Sequence, residues 1–167
     1  MQGLWQLAAC MALSILLASG MADAWPLASE MDGSSMALGN WKSTKPGPGF
    51  TVTEVVRLQL KALQENDSSD NGVAKAFEFA SPGNQRSTGP LPKFAAMIKG
   101  GYSALLNSED FQVLFAVPLN ASTQAVRVSI KTGPEFQGGR GLQYFMWVLS
   151  NDSGGWRTDS VMHDDGQ

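Results

Sequence analysis

Two side chains in this sequence are of types that transfer protons inside a folded domain. Tyr102 follows the pair Gly100-Gly101, and Asp159 stands between Thr158 and Ser160. A phenol or a carboxylate becomes a working acid or base when burial or a neighbour tunes its pKa. Each also has a structural reading. Tyr102 suits a core residue with its hydroxyl at the rim, and Asp159 suits a solvated strand residue paired with a neighbouring Arg. With Trp147, these two form the candidate pocket. The single histidine, His163, falls in the terminal tail beside Asp164 and Asp165. Proton transfer demands fixed geometry, so His163 reads as a surface residue. Adjacent residues in a tail rarely close a metal site. No catalytic residue, metal or cofactor is assigned. Gly138-Gly139-Arg140-Gly141 lacks the strand-then-helix context of a phosphate cradle and reads as a strand connection.

The elements that must hold these residues come in a simple order. Helix-like stretches fill Phe50 to Leu106, and strand-like stretches fill Asp110 to Met162. That layout predicts an α+β domain, with three helices packed on a four-stranded antiparallel sheet. Thr51 and Glu54 make a Thr-x-x-Glu capping box, with Phe50 and Val55 placed as a hydrophobic staple. Val52, Val55, Val56, Gln59, Leu60 and Leu63 then share one helical face. A second helix is expected from Val73 to Ala80, ended by Ser81-Pro82-Gly83. A third opens at Pro90-Leu91 and breaks at Gly100-Gly101, followed by one more turn to Leu106.

The strands alternate with period two. Phe111, Val113, Phe115 and Val117 form one face of the first, and Gln124, Val126, Val128 and Ile130 one face of the second. The third, Leu142 to Leu149, is apolar on both faces, so both should be covered. Its Phe145, Trp147 and Leu149 are assigned to a pocket or to a homodimer seam. The last strand, Trp156 to Met162, returns after the turn at Asn151 to Gly155.

Ahead of the domain, Leu4 to Ala22 carries no charge, and its apolar centre Leu7 to Leu17 is too short for a span of about 20 residues. It fits the apolar region of a signal peptide, with Ala22-Asp23-Ala24 predicting cleavage before Trp25. No Lys or Arg precedes it, a pattern expected if a first, stroma-directing part stood upstream. The expected division is therefore 1–24 targeting segment, 25–49 flexible linker and 50–164 domain. Trp41 lies in the linker, which is rich in Ser, Gly, Met and Pro and reads as a free tail. Cys10 is the only cysteine and would leave with the signal, so the mature fold rests on its core alone. Twelve Lys and Arg face fifteen Asp and Glu with no basic stripe, which argues against nucleic acid and anionic membranes as partners. The membrane is met only through the N-terminal segment before cleavage. Asn66, Asn120 and Asn151 head Asn-x-Ser sequons that matter only on a secretory route.

Val55-Val56-x-x-Gln59-Leu60-x-Ala62-Leu63-x-x-Asn66-Asp67 resembles the opening of a small domain family of unknown function from bacteria and from plant and algal plastids. The match runs through Ala76-Phe77-x-Phe79-Ala80-Ser81-Pro82 and Phe94-x-x-Met97-Ile98-x-x-Gly101-Tyr102 to Trp156-x-Thr158-Asp159-Ser160-Val161. That family is similar to the cystatin-like superfamily, in the branch typified by nuclear transport factor two. The resemblance implies a cone, in which a curved sheet wraps a long helix, and it implies a chloroplast address, in the thylakoid lumen; a secreted protein is the alternative. Such cones hold isomerases, dehydratases, binding subunits and dimerisation modules, so fold alone leaves activity open. Two function classes follow. One is a non-catalytic binding or dimerisation module whose partner is a second copy or a small apolar ligand. The other is a small isomerase- or hydrolase-like enzyme with a Tyr/Asp pocket. The lack of an acid–base pair favours the first.

Overall fold

Helix α1 (Val52–Gln64) begins at the capping box. The Thr51 hydroxyl accepts the Glu54 N–H at 3.3 Å, and the Glu54 carboxylate accepts the Thr51 N–H at 2.6 Å. Two otherwise unsatisfied donors of the first turn are thereby paired. The computed structural model describes residues 39–165, apart from Glu135, Gln137, Gly139, Asp152 and Ser153. The expected targeting segment and most of the linker lie outside the described residues.

The helical face read from spacing is the buried one: Val52, Val55, Val56, Gln59, Leu60 and Leu63 are all in the interior. Leu58 and Ala62 are buried as well, because α2 (Asn71–Glu78) lies against a second side of α1. The approach is close. A Cβ on Gly72 would collide with the Ala62 carbonyl, so only glycine allows the two backbones this spacing.

Among the described residues of the domain, four α-helices are present where three were expected. Ser81-Pro82 starts a helix as well as ending one: α3 (Pro82–Thr88) has Ser81 as its N-cap, its hydroxyl accepting the Asn84 N–H at 3.2 Å. Proline at the first position needs no partner for its missing N–H, and this signal overrides the polar look of the segment. Helix α4 (Leu91–Gly101) continues through the glycine pair, and a 3₁₀ turn (Ser103–Leu105) follows.

Strands β1 (Asp110–Asn120), β2 (Thr123–Lys131), β3 (Leu142–Asn151) and β4 (Trp156–His163) form one antiparallel sheet in chain order. The helices cover one face. Val126, Val128 and Ile130 of β2 and Phe145, Trp147 and Leu149 of β3 point into that core, each at most 1% exposed. The assignment of Phe145, Trp147 and Leu149 to a seam between copies is thereby corrected. They are already covered by helices of their own chain, and the outer face carries Tyr144, Met146 and Val148, all half-buried. In β1 the expected single face also splits. A register shift between Val113 and Phe115 keeps Phe111 and Val113 inward and turns Phe115 and Val117 outward, 45% and 40% exposed. On the outer face Arg127 pairs with Asp164 at 2.6 Å and lies over the Tyr144 ring.

Part of the presumed free linker is docked. Trp41 is 2% exposed, packs into the core, and donates its indole N–H to the Glu65 carboxylate at 2.6 Å. Thr44 accepts from the buried Lys75 ammonium at 2.8 Å. Further on, Lys45 pairs with Glu78 at 2.8 Å. Gly155 sits against the Gly47 carbonyl with φ of 103°, where a side chain would meet both steric and backbone strain. Residues 39–49 are thus a strap across the domain. The hydrogen bond from Trp41, first, and that from Lys61 hold the Glu65 carboxyl below its ordinary range. Burial pushes Glu78 up, but hydrogen bonds from Lys45 and Lys75 outweigh it and leave its pKa lowered.

Candidate functional site

A cavity of about 220 Å³ lies between the helices and the end of the sheet at β4. Tyr102, Trp147 and Asp159, the three residues singled out as pocket candidates, all line it. Each arrives from a different element. Tyr102 caps the C-terminus of α4, Trp147 projects inward from β3, and Asp159 sits in β4.

The position of Asp159 depends on a β-bulge. Leu149 pairs with Thr158 and Val148 with Ser160, so Asp159 is the extra residue of β4. Thr158 remains inward, 2% exposed, and Val161 regains the inward phase opposite Trp147. A bulge bends its strand and re-aims side chains. Here it brings Thr158, Asp159, Ser160 and Val161 to one wall. The edge of β4 beside the bulge is occupied: Ser81 donates to the Thr158 carbonyl at 2.8 Å, and Thr158 donates to that of Phe79 at 3.0 Å. The connection between α2 and α3 thus pairs with the edge strand and leaves it unavailable to another chain.

The floor of the cavity is a closed polar network. Gln59 Nε2 donates to the Ala76 carbonyl at 3.0 Å, which fixes the amide orientation. Gln59 Oε1 then accepts the Thr158 hydroxyl at 2.7 Å. The Tyr102 hydroxyl donates to the Val161 carbonyl at 3.1 Å. Its ring stacks on His163 at 5.3 Å between centroids. His163 belongs to the end of β4, opposite Phe145, and not to a free tail. Its Nε2 lies 3.1 Å from the Gly101 carbonyl, and it does not line the cavity. Asp159 differs from these groups. Among the described residues it makes no hydrogen bond or ion pair. Arg157, two residues away in β4, is spent on the Glu78 carbonyl at 3.0 Å.

The remaining wall is mostly apolar: Leu63, Phe94, Met97, Ile98 and Leu105. Ser87 and Met97 line the cavity and are exposed, which marks the side on which it opens. Six polar contributors had not been foreseen as site residues: Gln59, Asn84, Ser87, Thr88, Thr158 and Ser160. Gln59 carried a signal, being the one polar residue in the apolar stripe of α1. A buried amide must find partners, and such a residue marks an internal network. Ser87 and Thr88 depended on recognising α3.

Residues 48–165 match a family described as Domain of unknown function (DUF4864). The chain belongs to this family. The match covers the described domain from the end of the strap to Asp165, and so contains the whole cavity of the DUF4864 domain. No curated protein matches the chain. Among the described residues of the DUF4864 domain, no group of His, Cys, Asp and Glu is arranged to hold a metal ion. No helix among them is long and apolar enough to cross a membrane.

Proposed function

We propose that this domain is a non-catalytic binding module that holds a small, largely apolar molecule in the cavity beside β4. One observation carries the reading. The cavity presents an apolar wall with aromatic rings, while its inner polar groups, Tyr102, Gln59 and Thr158, are already bonded to protein. Acid–base catalysis needs a donor and an acceptor both free to meet the substrate. Asp159 and the Ser160 hydroxyl are uncommitted, and a carboxylate beside an alcohol supplies a base without an acid. The volume is below the usual range of about 300–1,000 Å³ for drug-sized ligands, which points to a molecule of a few carbons or a single ring.

In this reading the α+β architecture is a cystatin-like cone and the cavity its open end. The protein works in the thylakoid lumen, an address supported by the uncharged apolar run before Trp25. Two copies associate through the outer sheet face, where Leu114, Phe115, Val117 and Met162 are each at least 40% exposed.

Titration of the isotope-labelled full chain with small neutral aromatics such as 2-phenylethanol tests the binding function. Amide and indole resonances of Trp147, Tyr102 and Ser160 should move together and saturate. No movement with any such compound at millimolar concentration would remove the binding reading. An enzyme with Asp159 as base is the alternative, favoured by that residue's lack of partners. It predicts slow chemical conversion of the bound compound that Asp159→Asn abolishes.

A further inference from the structure

The binding reading leaves the chemical class of the ligand open, and the cavity wall narrows it. We infer that the preferred ligand is a small organic cation, an ammonium group attached to an apolar or aromatic body. This rests on the cavity being the binding site.

Of all the residues on the wall, Asp159 is the only one that carries a formal charge, and no Lys or Arg lines the cavity. A carboxylate in a concave, mostly apolar site feels less solvent screening than one on an open surface. Elsewhere in the described structure the partly buried carboxylates have partners: Glu78 has Lys45 and Lys75, Asp70 has Lys99, and Asp164 has Arg127. Asp159 is left with its acceptor capacity unspent beside an apolar chamber.

Phe94, Tyr102 and Trp147 bring three aromatic rings to the same cavity. Aromatic faces attract cations through their quadrupoles and repel anions, and tryptophan does so most strongly. Rings and carboxylate therefore select the same sign. An anionic ligand would meet Asp159 without a compensating base. A neutral ligand would use the rings but leave the carboxylate unpaired.

Asp159 is the extra residue of the bulge in β4. A regular strand at this point would keep strict alternation, and Thr158 and Val161 could not both face inward. The bulge makes room for both and brings Asp159 to the wall between them.

Three probes of one shape test the inference on the full chain: phenethylamine, 2-phenylethanol and phenylacetate, a cation, a neutral molecule and an anion. Binding is read from the resonances of Trp147 and Ser160. Phenethylamine should bind about tenfold more tightly than 2-phenylethanol, the margin of a charge-assisted over a neutral hydrogen bond. Phenylacetate should bind most weakly. In Asp159→Asn the amine's advantage over the alcohol should shrink to the smaller margin that the rings alone supply. Raising the salt concentration on the unsubstituted protein should weaken the amine and leave the alcohol unchanged, which gives the same answer with no substitution. Equal affinity of amine and alcohol, or an amine preference undiminished in Asp159→Asn, overturns the cation inference while the alcohol's binding upholds the cavity. Failure of all three probes overturns the binding reading itself, and the inference with it.

Discussion

The Thr158 hydroxyl donates to Gln59 Oε1 at 2.7 Å, joining α1 to β4 across 99 residues of sequence. Both side chains are almost fully buried, and Gln59 passes the connection on to the Ala76 carbonyl of α2. This contact ties the first helix to the last strand directly beneath the cavity. It also keeps Thr158 inward at the point where the bulge begins.

Thr158→Val preserves the shape and removes the donor, leaving Gln59 Oε1 buried without a partner. The expected cost is about 1–3 kcal/mol, read from urea unfolding. Thr158→Val combined with Gln59→Leu should cost less than the sum of the two single substitutions, because the unpaired oxygen is then gone. Additive losses would show that the two residues act separately.

Leu60 is 1% exposed on the face of α1 that meets the core. Leu60→Ala should lose about 2–5 kcal/mol, the usual range for a core leucine. A loss under about half a kcal/mol would contradict the assignment of that face.

The two faces of β3 and its neighbours make opposite predictions. Trp147→Asp buries an unpaired carboxylate in the core and should leave the chain unfolded by circular dichroism. Phe115→Asp changes a side chain that is 45% exposed on the outer face, and should fold normally. Sedimentation of the full chain should give a dimer for the unsubstituted protein and a monomer for Phe115→Asp. A monomer in both removes the proposed seam.

Gly72 sets helix propensity against sterics. In an open helix, Gly→Ala gains about 1 kcal/mol. Here the new methyl meets the Ala62 carbonyl, a backbone atom of a packed helix that cannot move away alone. Gly72→Ala should therefore destabilise the domain, measured as a lower midpoint in thermal unfolding. Stabilisation would mean that α1 and α2 separate readily.

The strap makes stability depend on acid. Glu65 and Glu78 both have lowered pKa values from a reference of 4.5. A carboxylate lowered in the folded state contributes its full stabilisation above the unfolded pKa and loses it as pH falls through the folded value. Urea midpoints should therefore be level above about pH 5.5 and decline below about pH 4.5. Trp41→Phe keeps the ring but removes the donor to Glu65, so its decline should be shallower. An unchanged acid slope in Trp41→Phe would show that the indole bond does not contribute.

What the sequence alone determined is what short-range physics decides. The start of α1 follows from four consecutive residues, Thr51 to Glu54, and its buried face from the spacing of Val56, Leu60 and Leu63. The strands follow from alternation, and the helix-then-strand order predicted the α+β layout. Membership of Tyr102, Trp147 and Asp159 in one cavity was legible only as candidacy, from residue type and the apolar surroundings. Tertiary structure decided the rest. With β3 apolar on both sides, the side occupied by the helices is set by the packing of the whole core, in which Phe145, Trp147 and Leu149 are buried, and local pattern has no access to it. The bulge at Asp159 is a property of two strands in register and has no signature in one. Trp41 docks because a partner for its indole N–H, Glu65, stands 24 residues away. Pairings across such distances depend on which surfaces the fold brings together, and that choice is made by the whole chain at once.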